Sequence, residues 1–145
     1  MKPLAHAATG LMALSLIASF WISTLVSELF LSYDAVELVK RYILDAMWLL
    51  IPALAITGGS GAILAKGRLQ PILRRKARRM PIIALNGMLI LLPAAFYLHT
   101  KAAAAEFDGY FYGAQAVELV AGALNLTLIA LNLRDGLTLT GRLQR

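Results

Sequence analysis

Long apolar runs separated by short polar stretches dominate the chain, and four of the runs are long enough to cross a bilayer as helices. A hydrocarbon core about 30 Å thick takes roughly 20 residues of helix. The pattern predicts spans at about 8–30, 43–65, 81–98 and 113–133, with a basic loop over 66–80. Pro81 falls at the expected first turn of the third helix, a position that tolerates proline. Pro52 and Pro93 fall inside helices and are expected to kink them, leaving carbonyls for neighbours to satisfy. The expected fold is an all-α membrane protein: one domain, a four-transmembrane-helix bundle.

Composition agrees and removes alternatives. The chain is 59% hydrophobic and only 15% charged, with a mean hydropathy of +0.70, outside the range of soluble domains. It contains no cysteine, which excludes disulfides, thiolate metal sites, iron–sulfur ligation and covalent haem attachment. The net charge of +6 gains meaning only from position. Seven basic residues and no acid lie between Lys66 and Arg79, and eleven of the fourteen basic residues fall on one side of the predicted membrane. Seven of the eight acids, all but Asp135, fall on the other. Positive residues stay inside, so both termini and the basic loop are expected in the cytoplasm of a bacterial-type inner membrane. A secretory signal would also follow Lys2 with an apolar run. Here the run continues to Phe30 without a clean small-x-small cleavage site, so it reads as a true first helix.

Residues 35–39 and 116–120 both read Ala-Val-Glu-Leu-Val. This echo raises a duplicated helical hairpin as a reading, with Glu37 in a loop and Glu118 in a helix. All twelve aromatic residues fall toward the outer side, as an interfacial belt or as the lining of an outward-facing cavity.

Polar groups at membrane depth carry the candidate chemistry. On the fourth helix Gln115, Glu118, Gly122, Asn125 and Asn132 share one arc of roughly 80–100°, so this stripe is expected to face helices, water or a ligand. Glu28 and Asp45 lie at a similar outer depth to Glu118, and convergence of the three would make a proton or cation site. Asn86, Pro93 and Tyr97 share a face of the third helix. The competing reading makes all of these hydrogen-bonding glue, at about 0.6–2 kcal/mol per contact. On the second helix Ala53, Thr57, Gly61 and Ala65, beside Gly58, form a small-residue ladder suited to close packing. Residues 57–61 resemble a phosphate loop but lack its lysine and the helix that follows.

His6 is the weak candidate for a haem ligand, with Met12 or Met80 or by pairing between subunits. His99 lies at the opposite face, about 25–30 Å away, so the two cannot share one iron. No cofactor is predicted; haem b or quinone near the outer aromatics is the outlying reading. Arg74, Arg75, Lys76, Arg78 and Arg79 are expected to contact anionic lipid headgroups or an acidic partner. No nucleic-acid module accompanies them.

No nucleophile–base pair, clustered metal site or soluble domain points to an enzyme. The leading expectation is an accessory or assembly subunit of a membrane complex, or a homo-oligomeric bundle, whose partners are lipids and other membrane subunits or itself. The alternative is a small transporter or proton/cation conductor using the intramembrane carboxylates. A third reading is a haem- or quinone-binding redox protein.

Overall fold

The computed structural model describes residues 2–66 and 71–139, with the side chains of residues 2, 3, 64 and 65 excluded. Arg68, Arg142 and Arg145, and the side chains of Lys2 and Ala65, therefore lie outside the described residues. Within them all regular structure is helical: α1 Lys2–Phe30, α2 Tyr33–Ala65, α3 Pro71–Asn86, a π turn Gly87–Leu91, α4 Leu92–Ala103 and α5 Gly109–Leu139. The segments α3, π turn and α4 run on as one span, Pro71–Ala103, giving four helices long and apolar enough to cross a membrane.

Three helices carry a seam with the alternating three- and four-residue spacing of a left-handed bundle. On α1 it is His6, Gly10, Ala13, Ile17, Phe20, Thr24 and Ser27; on α2 Val36, Lys40, Ile43 and Leu50. On α5 it is Phe111, Gln115, Glu118, Gly122, Asn125, Ile129 and Asn132. Most of these positions are buried and the rest half-buried. α5 is the most buried span and α2 the least. α5 packs against α1, α3 and α4, while α2 packs chiefly along α1 and also meets α4.

Two apolar clusters hold the ends together. Ala13, Ile17, Leu50, Ala53, Ile83 and Ile129 form one, with Met80 and Leu126 against it. Val36, Leu98, Ala102 and Phe111 form the other, at the end that carries the α1–α2 and α4–α5 turns. This end is termed distal, and the end carrying His6 proximal. Distal aromatics pack on one another: Tyr33 stacks on Phe107 at 4.2 Å, and Phe107 meets Phe111 edge-on at 5.0 Å.

Several boundaries differ from those expected. α2 begins at Tyr33, so Glu37 is helical, because Ser32 accepts from the Ala35 N–H as an N-cap and Asp34 suits the first turn. The basic segment from Pro71 onward is helix rather than loop, and Pro81 lies inside α3 rather than at its start. Lys and Arg are good helix formers, and Pro71 supplies the permitted proline at the first position. Pro93 follows the π turn, where the Leu92 N–H bonds to Gly87 O. The wider turn shifts register, so Asn86 is buried while Pro93 and Tyr97 are exposed instead of sharing its face. The two Ala-Val-Glu-Leu-Val segments meet different surroundings: Val36 is 2% exposed and Val117 52%.

Candidate functional site

The polar stripe of α5 is divided among three clusters. At the distal end Glu118 accepts from Lys40 Nζ at 2.7 Å and from Gln115 Nε2 at 2.8 Å, both on Oε2. Lys40 is 1% exposed. Glu28 of α1 stands within electrostatic reach of Lys40 and Glu118. Its Oε1 and the Oε1 of Gln115 are buried without a hydrogen-bond partner among the described residues. Asp45 is exposed on α2 and does not join Glu28 and Glu118. The expected triad of carboxylates is replaced by two carboxylates around a lysine.

At mid-depth Asn86 Nδ2 donates to Asn125 Oδ1 and to Ala121 O, each at 2.8 Å, and Asn125 Nδ2 donates to Ile83 O at 3.3 Å. This links α3 to α5 through side-chain amides and backbone carbonyls. Just above it Trp21 lies on Gly122, where a Cβ would stand 3.1 Å from the indole Cδ1, and Trp21 Nε1 donates to Leu119 O at 2.9 Å. Glycine is needed here for that approach.

At the proximal end Arg79 Nη1 donates to Asp135 Oδ2 at 2.8 Å and to Asn132 Oδ1 at 3.3 Å. Lys76 Nζ lies 3.1 Å from His6 Nε2, while His6 Nδ1 lies 3.0 Å from both Thr57 O and Ser60 Oγ. With Lys76 donating, Nδ1 is the protonated nitrogen and donates to Thr57 O. Both imidazole nitrogens of His6 are thus engaged within the chain.

Members of the small-residue ladder lie at contacts between helices. Ala53 is buried, Gly61 lies under the His6 ring, Gly58 lies near Met80, and Thr57 packs against Gly10. Thr57 Oγ1 also donates to Thr9 Oγ1 at 2.9 Å. The basic segment divides. Arg74, Arg75 and Arg78 are exposed, whereas Lys76 and Arg79 turn inward onto His6, Asn132 and Asp135.

Sequence reasoning missed Lys40, Asp135 and Trp21. The signal for Lys40 was its place on the Val36–Ile43–Leu50 seam, which marks an inward face whatever the residue. Among the described residues no group of three or more His, Asp or Glu could hold a metal ion. A shallow, mostly apolar groove of about 250 Å³ lies between α1 and α2, lined by Ser19, Phe20, Ser23, Val39, Tyr42, Ile43 and Ala46. Comparison with protein-family models, with curated proteins and with solved structures finds no match to the chain.

Proposed function

We propose that this multi-pass membrane protein works by packing rather than by chemistry, as an accessory or assembly subunit of a larger membrane complex or as a homo-oligomeric bundle. The observation that carries the reading is where the polar stripe goes. Glu118, Asn125 and Asn132 each find partners inside the chain, as glue between helices does. Large apolar side chains are prominent among what remains outward: Trp48 is 81% exposed, Val120 72%, Leu89 69% and Met88 68%. Such a perimeter suits lipid or a neighbouring helix.

The orientation belongs to the same proposal. The proximal end carries Arg74, Arg75 and Arg78 and is read as cytoplasmic in a bacterial-type inner membrane. There the exposed arginines meet anionic headgroups, at about 1 kcal/mol each near the surface. The groove between α1 and α2 is the natural seat for a partner helix or a lipid chain.

The test is to tag the C-terminus, solubilise native membranes in a mild detergent and identify what copurifies. A stoichiometric set of larger membrane proteins, or a homogeneous oligomer of this chain, supports the reading. A monomer with no companion, active in flux when reconstituted into vesicles, overturns it in favour of transport.

A further inference from the structure

The distal cluster has an unbalanced charge. Two carboxylates, Glu28 and Glu118, interact electrostatically with one ammonium, Lys40, and Lys40 is held by Glu118 at 2.7 Å. A buried net negative charge is expensive in a low-dielectric setting, and the usual remedy is neutralisation. The hydrogen bonds point the same way. Gln115, 4% exposed, places its Nε2 on Glu118, and its Oε1 is a buried acceptor lacking a donor. Glu28 Oε1 is a second such acceptor. Reversing the Gln115 amide would set its oxygen against the Glu118 carboxylate, so a flip does not resolve the deficit. The cluster lacks one positive charge and is short of donors.

We propose that this cluster is a proton-binding site in which Glu28 carries the proton. A proton from water at the distal face adds to the Glu28 carboxylate, giving a neutral carboxylic acid that is itself a donor, and no other bond changes. A metal ion is the poorer occupant, because the Lys40 ammonium repels a second cation beside Glu118. Lys40 from α2 and Glu118 and Tyr112 from α5 act electrostatically on Glu28, and Tyr33 from α2 stands beside Tyr112. His99 stands at the same end of α4. The site is a terminus rather than a pore. Beyond Glu118 the seam is closed by Trp21 on Gly122, and beyond Asn125 by Ile17, Ile83 and Ile129. A proton bound here resets the ion network joining α1, α2 and α5, which makes the site a sensor of pH on the distal side. The inference does not depend on whether the bundle has a partner.

The experiment is pH-difference infrared spectroscopy of the full chain in lipid nanodiscs, following the C=O stretch of a protonated carboxylic acid. The wild type should show such a band near neutral pH and lose it on alkalinisation. Glu28→Gln should lack it. Glu118→Gln should lack it too, because one carboxylate per ammonium then remains and Glu28 stays ionised against Lys40. Asp45→Asn, at an exposed position, should retain it. A wild type without the band, or a band that survives in Glu28→Gln, overturns the proposal. So does a wild type without the band whose thermal midpoint rises with Na⁺ or K⁺ at constant ionic strength, which identifies a metal cation instead. Should Glu28→Gln fail to fold, the wild-type titration and Glu118→Gln still decide.

Discussion

Lys40 and Glu118 are 78 residues apart in the chain, yet the ammonium lies 2.7 Å from the carboxylate, with the Lys40 side chain 1% exposed. The pair joins the least buried span to the most buried one. Removing one partner of a buried pair strands the other, which typically costs about 3–5 kcal/mol. Lys40→Met is therefore expected to be the most damaging single change at the distal end. Glu118→Gln should be milder, because Glu28 remains within reach of the ammonium. In a double-mutant cycle measured by thermal unfolding in detergent, the pair should couple by about 1–3 kcal/mol. Additive effects would mean that the two side chains do not meet.

The Asn86–Asn125 pair is the polar tie at the middle of the bundle. Asn125→Leu removes the acceptor of one Asn86 bond and the donor to Ile83 O. The expected loss is about 1–2 kcal/mol, near the upper end for interhelical hydrogen bonds in membranes. Asn86→Leu with Asn125→Leu should lose less than the two singles combined, because neither amide is then stranded. Equal effects of the double and the summed singles would rule out a direct bond.

Spans, their number and the inward face of α5 are legible in the sequence because hydropathy and helical periodicity are local properties. The same periodicity identifies Gln115, Asn125 and Asn132 as inward-facing, and all three are buried. Partners are not local. Asp45 shares its depth with Glu28 but points away, because depth along the membrane does not fix azimuth on a helix. Lys76 and Arg79 turn inward while Arg74, Arg75 and Arg78 do not, a division that follows from the α3 helix extending through a segment expected to be loop. Pro93 and Tyr97 left the face of Asn86 because a single wide turn intervenes, and Gly87–Leu91 carries no compositional mark of it.

Trp21 on Gly122 makes a sensitive probe of how α1 meets α5. A methyl group at position 122 would stand 3.1 Å from the indole Cδ1, and the neighbour that must yield is a rigid ring. Gly122→Ala is expected to destabilise by about 1–3 kcal/mol, the range for overpacking, and to weaken the Trp21–Leu119 hydrogen bond. Measured in a Trp48→Phe background, where Trp21 is the one tryptophan left, its emission should change on Gly122→Ala. An unchanged spectrum and midpoint would place Trp21 elsewhere.

The turn after α4 offers a stabilising change. Ala105 has φ 55°, and the Glu106 N–H returns to Lys101 O at 2.9 Å, closing the helix in the manner usually completed by glycine. The left-handed region costs an L-residue roughly 1–2 kcal/mol, offset in part by the greater freedom of glycine in the unfolded chain. Ala105→Gly should raise the thermal midpoint, by a net of about 0.5–1 kcal/mol. A lower midpoint would show that Ala105 is not in this conformation.

Asp108 begins α5 and makes its turn sensitive to acid. Its Oδ2 accepts from Lys101 Nζ at 2.6 Å, and its Oδ1 caps the Phe111 N–H at 2.9 Å. The Lys101 hydrogen bond, with help from the Phe111 cap, holds the Asp108 carboxyl below its ordinary value. The unfolded chain therefore takes up this proton at higher pH than the folded one does. The stabilisation is complete above the ordinary aspartate value, about 4, and is lost as pH falls from there through the lowered folded value. Asp108→Asn keeps a good capping residue and removes the charge, so it isolates the effect. Thermal midpoints followed across this acid range should fall more steeply for the wild type than for Asp108→Asn. Parallel curves would show that the Lys101–Asp108 contact contributes nothing to the stability of the turn.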